Sequence, residues 1–328
     1  MKISIIGAGA MGSLYGGKLS LSGSQVLLYD INREHIDKIR NHGLIIEEPE
    51  GEETTRPQAS SDKEALRGSE VMIIFVKSAA TEIAIRDMEE YIAPETIVAT
   101  LQNGLGNEEI IRKHLGAHRS AAGVTSQGAT FLEAGRIRHA GRGPTHLCMS
   151  DKKNNRLVPF VEELNRAGFE AHIEENIENL IWSKLVINVG INALTALTAL
   201  PNGKLLDYKE TKEIMADLVN EALQVTSAKG IQLTLADPLE SVYETAQKTA
   251  ANRSSMLQDF DNHRVTEINF INGAIVREAE KLAIDVPVNR TITRLVKTLE
   301  DHRYPSSRPV RAPTASHSSS RPVRAPTA

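Results

Sequence analysis

A lysine and two asparagines recur at every fourth position in one strongly apolar stretch of the chain. Lys184, Asn188 and Asn192 lie in residues 181–200, IWSKLVINVGINALTALTAL. Each step of four residues rotates only about 40° around an α-helix, so the three side chains form one polar stripe. They either meet polar groups inside the protein or face a cleft, because burial without partners is costly. A structural hydrogen-bond network would explain each asparagine, but an ammonium group is rarely buried for structure alone.

A second polar cluster follows about 70 residues later in the same half of the chain. It comprises NRSSMLQD at residues 252–259 and RVTEINFING at residues 264–273. Glu267 precedes a run rich in isoleucine and phenylalanine, where an isolated carboxylate would be unfavourable unless it faced a lysine. A surface glutamate near a helix start is the alternative, and the sequence leaves both open.

Asn103 is a third candidate, in the segment LQNGLG at residues 101–106. It follows an apolar strand-like run at residues 97–101, which places it at the carboxyl end of a predicted parallel sheet, where ligands of such sheets bind. Asn-Gly is also common in plain turns, so a simple turn residue is the other interpretation.

The first twelve residues, MKISIIGAGAMG, read as an apolar strand running into a G-x-G-x-x-G turn. This turn lets the backbone approach a dinucleotide pyrophosphate at a helix N-terminus. The residues expected to contact the dinucleotide are Gly7, Gly9, Ala10, Met11 and Gly12. Glycine-rich turns also occur without a ligand, but the strand before this one and the helical pattern after it favour the dinucleotide.

Asp30 follows a second predicted strand, residues 25–29, and lies 18 residues beyond Gly12. A carboxylate there suits a hydrogen bond to the adenosine ribose and disfavours a 2′-phosphate, so it indicates NADH rather than NADPH. Arg33 could soften this preference by pairing with a phosphate. The alternative is that Asp30 is the N-cap of the next helix.

These candidates are positioned by two halves of different pattern. Residues 1–175 alternate strands and helices, which is typical of a parallel sheet with helical crossovers. Residues 176–303 have helical periodicity almost throughout, so the chain is predicted to be an α/β Rossmann-type dinucleotide-binding domain followed by an all-α domain. Within the first half, the sequence predicts buried strands at 71–76, 97–101 and 120–124, a loop-rich segment at 47–61, a hairpin at 128–141 with its turn at 133–135, a helix near 155–167 and a strand near 169–174.

Composition excludes several classes of protein. Of the 328 residues, 41% are hydrophobic and 24% charged, and the net charge of −4 gives no basic excess for a nucleic acid. The single cysteine, Cys148, excludes an intramolecular disulfide and a cysteine-based metal cluster, and no metal is expected. A strand starting at residue 2 leaves no room for a signal peptide, and the apolar stretch at 185–200 is predicted to be too short for a membrane span. We therefore expect a cytoplasmic protein.

The last residues are set apart by a repeat, since SSRPVRAPTA at 306–315 recurs at 319–328. A segment so poor in apolar side chains is predicted to be disordered. We therefore expect residues 304–328 to lie outside the folded protein.

The sequence as a whole resembles the ketopantoate reductases (2-dehydropantoate 2-reductases), which belong to the 6-phosphogluconate dehydrogenase-like group. The resemblance covers residues 1–303. Its most specific part is the K-x3-N-x3-N pattern of Lys184, Asn188 and Asn192 paired with SSMLQD and TEINFING in residues 254–273. It implies a Rossmann domain followed by an all-helical domain.

The resemblance also implies roles for individual residues. Lys184 would be the catalytic acid, with Glu267 beside it, and Asn103 would orient both Lys184 and the bound ligand. Lys77 would contact the cofactor. The side chains that would contact substrate or hold its pocket are Asn188, Asn192, Asn202 and Asn252, with Ser255 binding the carboxylate.

The reaction so implied is reduction of ketopantoate by NAD(P)H, in pantothenate and coenzyme A synthesis. The family commonly places an arginine at Asp30-Ile31 to receive the 2′-phosphate of NADPH, so here the family and Asp30 point to different cofactors. Two other functions remain open: a reductase of another small 2-oxo acid, and a non-catalytic dinucleotide sensor, against which the retained Lys184 and Glu267 argue. A homodimer formed through the helical domain is also open, whereas no nucleic acid or membrane partner is expected.

Overall fold

A computed structural model describes residues 1–304, so the repeated segments lie outside the described residues. The prediction that residue 304 lies outside the folded protein is wrong, because Tyr304 is buried in the helical core and its hydroxyl donates to the Phe260 carbonyl at 2.8 Å. The strands are β1 Lys2–Ile6, β2 Gln25–Tyr29, β3 Leu44–Glu48, β4 Gly51–Thr55, β5 Gln58–Ser60, β6 Val71–Ile74, β7 Ile97–Thr100, β8 Ser120–Thr125, β9 Gly128–Glu133, β10 Arg136–Gly141, β11 Thr145–Met149 and β12 Ala171–Ile173. The α-helices are α1 Ala10–Leu21, α2 Arg33–His42, α3 Thr81–Met88, α4 Asn107–Leu115, α5 Val158–Arg166, α6 Glu178–Thr198, α7 Lys209–Ala228, α8 Pro238–Lys248, α9 Ser255–Asp261, α10 Asn272–Lys281 and α11 Pro287–Arg303.

The first half is built on an eight-stranded sheet in the order β12-β11-β8-β7-β6-β1-β2-β5. Six of these strands, from β8 to β5, run parallel, while β11 pairs antiparallel with β8 and carries β12 parallel to itself. The central strands are apolar and buried throughout, as expected when helices cover both faces of a sheet. The predicted Rossmann-type sheet is confirmed.

The prediction of a loop-rich segment at 47–61 is wrong. This segment completes β3 and forms β4 and β5. The strands lack apolar periodicity, since GEETT is polar, and β4 is held by pairing with β3 and by the cross-strand ion pair of Glu52 with Arg136 of β10. Strand β5 extends the edge of the main sheet by pairing with β2.

The predicted hairpin is confirmed, with β9 and β10 joined through residues 134–135. It belongs to a separate four-stranded sheet in the order β4-β3-β10-β9, in which β10 pairs parallel with β3. This non-local pairing has no signature in the local pattern.

From α6 onward the described chain is helical, and α6 is the central helix, packed against α7, α8, α9 and α11. Its 21 residues begin seven residues before the 185–200 stretch and end two residues before that stretch does, so the helix is longer than the apolar run in the sequence. Among the described helices only α6 is long and apolar enough for a span, and 67% of its most apolar window is buried in the fold.

The start of α2 differs from one of the two interpretations of Asp30. The N-cap of α2 is Asn32, whose side-chain oxygen accepts from the His35 N–H at 3.3 Å, so the alternative that Asp30 caps this helix is wrong. Helix α1 begins at Ala10 and its C-cap is Ser22, with Gly23 following at φ +93°.

Candidate active site

The two halves meet where three adjacent parallel strands end. Strands β6, β7 and β8 are neighbours in the sheet, and their carboxyl ends all point to the helical half. The chain at or just after each of these ends makes a polar contact with the helical half. In open α/β sheets this edge is where ligands bind.

Lys184 reaches from α6 to the end of β8. Its Nζ donates to the backbone carbonyl of Thr125 at 2.7 Å, and its side chain is half-buried. Burial lowers the pKa of Lys184 to about 8, and the negative charge of Glu267 opposes this lowering. A lysine with such a pKa can donate a proton near neutral pH, which an ordinary surface lysine does poorly.

The two asparagines of the stripe continue from Lys184 along α6. Asn188 is half-buried and Asn192 is 7% exposed. Neither side-chain amide forms a hydrogen bond with another residue in the described part of the chain, while the opposite face of α6 packs into the helical core. The predicted polar stripe is therefore present, and its amide groups are available to a ligand.

Glu267 is buried, at 7% exposure, and contacts the chain just after β6. Its Oε1 accepts from the Ser78 hydroxyl at 2.7 Å and from the Ser78 N–H at 3.3 Å. The alternative of a surface glutamate is thus wrong. The carboxylate is held by the Ser78 hydroxyl and acts on Lys184 through its charge, although the two side chains form no ion pair within 4 Å in the described residues.

Asn103 lies in the turn after β7 and is half-buried. Its backbone carbonyl accepts from Asn107 Nδ2 at 3.1 Å and from the Ser78 hydroxyl at 3.4 Å, which links this turn to the one after β6. The next two residues touch the helical half: the Leu105 N–H donates to the Phe270 carbonyl at 2.9 Å, and Gly104 has φ +84° against Phe270. Asn103 is therefore both a turn residue and a residue of the cleft.

Lys77, after β6, forms an ion pair with Asp259 of α9, its Nζ lying 2.7 and 2.8 Å from the two carboxylate oxygens. Lys77 is 42% exposed and Asp259 only 7%. Burial raises the pKa of Asp259 to about 6, against the lowering effect of Lys77. Lys77 and Asp259 thus form a second polar contact between the halves, and Lys77 is the chain neighbour of Ser78, which contacts Glu267.

Three predicted substrate residues lie further along the helical half. Asn202 is buried, donating from Nδ2 to Thr249 Oγ1 at 2.8 Å, and its N–H donates to the Asn252 carbonyl at 2.9 Å. The side chains of Asn252 and Ser255 are exposed, and Ser255 is the first residue of α9. Asn202 therefore holds the loop before α9, while the side chains of Asn252 and Ser255 remain accessible.

The glycine turn has the shape of a dinucleotide cradle. Gly7 has φ +96°, and a Cβ there would lie 2.7 Å from the Val76 nitrogen, so the turn packs closely on the end of β6. Gly9, the N-cap of α1, has no side-chain cap, and a Cβ there would meet nothing within 4 Å. Open space above uncapped N–H groups at a helix start suits a pyrophosphate, so these residues fit the group.

Asp30 stands at the end of β2, beside this cradle. One carboxylate oxygen accepts from the Asn32 N–H at 2.8 Å, which fixes the side chain without using its second oxygen. Ile31 is 85% exposed and carries no charge for a 2′-phosphate, and Arg33 is exposed at the start of α2.

A cavity of about 460 Å³ lies between the ends of β7, β8 and β11 and the helical half. It is lined near α6 by Lys184 and Asn188, and by apolar groups that include Val124, Ile181 and Leu185. Cys148 also lines this cavity, and burial raises the pKa of its thiol. The space beside the lysine can therefore hold an organic group larger than a methyl.

The sequence reading missed several residues of this junction. Four partners of the predicted residues were not predicted: Ser78, which contacts Glu267; Asn107, which contacts Asn103; Thr125, which contacts Lys184; and Asp259, which contacts Lys77. Only Asp259 had a usable signal, because it lies in the quoted SSMLQD motif. The others contribute through backbone groups or common polar side chains, which carry no local pattern.

Comparison with known families matches both halves of the chain. The family described as "Ketopantoate reductase PanE/ApbA" matches residues 3–152, and "Ketopantoate reductase PanE/ApbA C terminal" matches residues 176–300. Among curated relatives, the 2-dehydropantoate 2-reductase of Pyrococcus horikoshii is 36% identical over 301 residues, covering 92% of this chain and 98% of the relative. That of Halobacterium salinarum is 33% identical over 299 residues, covering 90% and 98%.

Solved structures of two kinds are similar to this one. A ketopantoate reductase from Ralstonia eutropha JMP134 has a TM-score of 0.87 at 32% identity, covering 92% of this chain and 99% of that chain. D-mandelate dehydrogenase, solved with NADH and anilino(oxo)acetate, has a TM-score of 0.86 at 30% identity with the same coverage.

Proposed function

The chain belongs to the ketopantoate reductase family, and on that premise we propose that it reduces ketopantoate with a nicotinamide dinucleotide as the hydride donor. We assign the dinucleotide to residues 1–175 and the substrate-binding side chains to residues 176–303. The product of this reduction is the corresponding 2-hydroxy acid.

One observation carries the proposal: a lysine with a pKa of about 8 stands between the two halves, beside amide groups with no described partner. Reduction of a ketone places negative charge on its oxygen, which needs a proton. Lys184 can supply that proton, and such general acid catalysis typically contributes ~10²–10⁴-fold. Asn188 and Asn192 can donate hydrogen bonds to the remaining oxygens of a hydroxy acid.

The cradle at the start of α1 would hold the cofactor pyrophosphate through the backbone of residues 9–12, and Asp30 would bind the ribose. When bound, the reduced nicotinamide supplies a hydride to the carbonyl carbon of the substrate. Asn103, at the end of β7, would contact both ligands, and Lys77 would contact the cofactor.

The proton path begins at Lys184. Its Nζ holds the proton while donating to Thr125, and passes it to the substrate oxygen as the hydroxyl forms. Glu267 favours the charged form of the lysine in the closed cleft, and Ser78 fixes the carboxylate. After release of the product, the neutral amine recovers a proton from solvent.

We also propose that NADH is the preferred cofactor. The proposal is supported by the carboxylate of Asp30, which would repel a 2′-phosphate on the ribose it binds, and by the uncharged Ile31, which offers no cation to neutralise that phosphate. Like charges at close range disfavour binding. The related D-mandelate dehydrogenase structure, which holds NADH, supports the same choice.

A second candidate is reduction of a 2-oxo acid with a bulkier, aromatic side chain. It is favoured by the likeness to D-mandelate dehydrogenase and by the cavity of about 460 Å³ beside Lys184, whose mixed lining of polar and charged groups includes apolar side chains. The two candidate reactions share the cofactor, the lysine and the mechanism, and they differ only in the side chain that the 2-oxo acid substrate carries on its carbonyl carbon.

A substrate panel tests the proposal. Initial rates of NADH and NADPH oxidation are measured with ketopantoate, pyruvate and phenylglyoxylate. We expect the highest kcat/KM with ketopantoate, and with NADH over NADPH by about tenfold or more, about 1.4 kcal/mol. A higher kcat/KM with phenylglyoxylate would select the second candidate, and no oxidation with any 2-oxo acid would contradict both.

A further inference from the structure

Asp259 is the only described partner of the Lys77 ammonium, and it comes from the opposite half of the molecule. The contact is two-pronged, with both carboxylate oxygens within 2.8 Å of Nζ. Lysine side chains have high rotamer freedom, so an unpaired lysine at this exposure would sample many positions. The buried carboxylate holds this one at the edge of the dinucleotide cleft.

We propose that Asp259 is a positioning residue for dinucleotide binding, acting through Lys77 to present its ammonium to the cofactor. This inference rests on the proposed cofactor site. Asp259 does not itself touch the cofactor in this account. Its role is to orient a lysine that would otherwise be mobile.

The surroundings of Asp259 make the arrangement depend on ionisation. Three charged groups act on the Asp259 carboxylate: Lys77 after β6, and Arg264 and Glu267 in the segment between α9 and α10. The two cations stabilise the charged carboxylate, and Glu267 repels it. Burial is the largest effect, and it raises the pKa of Asp259 to about 6. The ion pair with Lys77 is therefore present at neutral pH and lost as the pH falls through about 6.

Asp259 also lies one helical turn after Ser255, so the two side chains share a face of α9. Ser254, the N-cap of this helix, is hydrogen-bonded to Thr195 of α6 at 2.6 Å. Helix α9 is thus anchored to the helix that carries Lys184. Holding Lys77 from α9 ties the cofactor side of the cleft to the substrate side.

The test is dinucleotide binding, which is independent of turnover. NAD⁺, which is stable in acid, is titrated calorimetrically into the full chain between pH 5 and 8. For Asp259→Asn we expect the Kd at pH 7.5 to rise about tenfold, in keeping with loss of one charge-assisted contact, with little change of kcat at saturating cofactor. The wild-type Kd should rise as the pH falls through about 6 and meet that of the variant, whose Kd stays flat.

Two further variants make the result specific. Asp259→Glu should restore part of the affinity because it keeps the carboxylate. In a Lys77→Met background, whose own Kd is raised and flat with pH, Asp259→Asn should add nothing. Asp261→Asn is the matched control on the same helix, since Asp261 pairs with Arg253 at 2.6 Å on the surface, and it should behave as wild type.

Each other outcome overturns the inference. An unchanged or tighter Kd in Asp259→Asn would mean that Asp259 is idle or competes with the cofactor for Lys77. If Asp259→Asn raised the Kd further in the Lys77→Met background, Asp259 would act on cofactor binding by a route other than Lys77. If Asp259→Asn does not fold, a pH dependence that persists in Lys77→Met overturns the inference in its place, whereas a wild-type protein that binds no dinucleotide would defeat the proposed function itself.

Discussion

Lys184 is the side chain to which the proposed function assigns the proton transfer. Burial lowers the pKa of its ammonium to about 8, and the charge of Glu267 opposes that lowering. Together the two effects leave a lysine that is protonated at neutral pH and is a stronger acid than an exposed lysine.

The pH dependence of kcat follows from this balance. Lys184 must be protonated to act as the acid, so kcat should be full below its pKa and fall as the pH rises through about 8. Glu267→Gln removes the charge that raises this pKa, so the falling limb should move to lower pH. Steady-state rates at saturating substrate between pH 6 and 10 measure the shift, and an unmoved limb would contradict the role given to Glu267.

At the scale of single residues, the sequence predicts which side chains belong to the candidate site better than it predicts which residues those side chains contact. The spacing of Lys184, Asn188 and Asn192 predicts one polar face, because a helix has a fixed period. The partners Thr125 and Ser78 could not be predicted, since Thr125 acts through its backbone carbonyl and both residues are far in the chain from the groups they contact.

The element that most clearly joins the two halves is the turn after β7. Gly104 has φ +84°, and a Cβ there would fall on the carbonyl group of Phe270, the same group that accepts from Leu105. The turn can therefore lie against the helical half only with a glycine at this position.

A pair of glycine substitutions separates strain from contact. Gly104→Ala and Gly23→Ala both put alanine at positive φ, and each should lower the free energy of unfolding by about 1–3 kcal/mol. Only Gly104→Ala should also reduce kcat/KM, because a Cβ at Gly23 would meet nothing within 4 Å and lies away from the cleft. Chemical denaturation and steady-state kinetics measure the two effects. Equal losses of kcat/KM in both variants would argue against the turn as a functional element.

At the element scale, prediction succeeded where apolar periodicity was strong and failed where pairing replaced it. Strand β2 was predicted to the residue, and the hairpin of β9 and β10 was found from its turn. Strands β4 and β5 were not predicted because their residues are polar; they are held by pairing with β3 and β2, and β4 also by the ion pair of Glu52 with Arg136, 84 residues away.

In the whole molecule the work is divided between the halves. The first half contains the glycine turn and the strand ends, and the second contains the polar stripe along α6 with Lys184, the proposed proton donor. The change from alternating strands and helices to continuous helices made this division predictable from the sequence. How the halves meet was not predictable, because Lys77, Ser78 and Thr125 find their partners only in the folded chain.

The most direct test of the account separates cofactor binding from turnover in Lys184→Met, with Lys204→Met, an exposed lysine paired with Asp207, as the matched control. NADH affinity is measured by fluorescence titration and ketopantoate reduction by NADH oxidation. We expect Lys184→Met to bind NADH as the wild type does while kcat falls ~10²–10⁴-fold, and Lys204→Met to match the wild type in both. A Lys184→Met protein that reduces ketopantoate at the wild-type rate would contradict the central claim that this lysine is the proton donor.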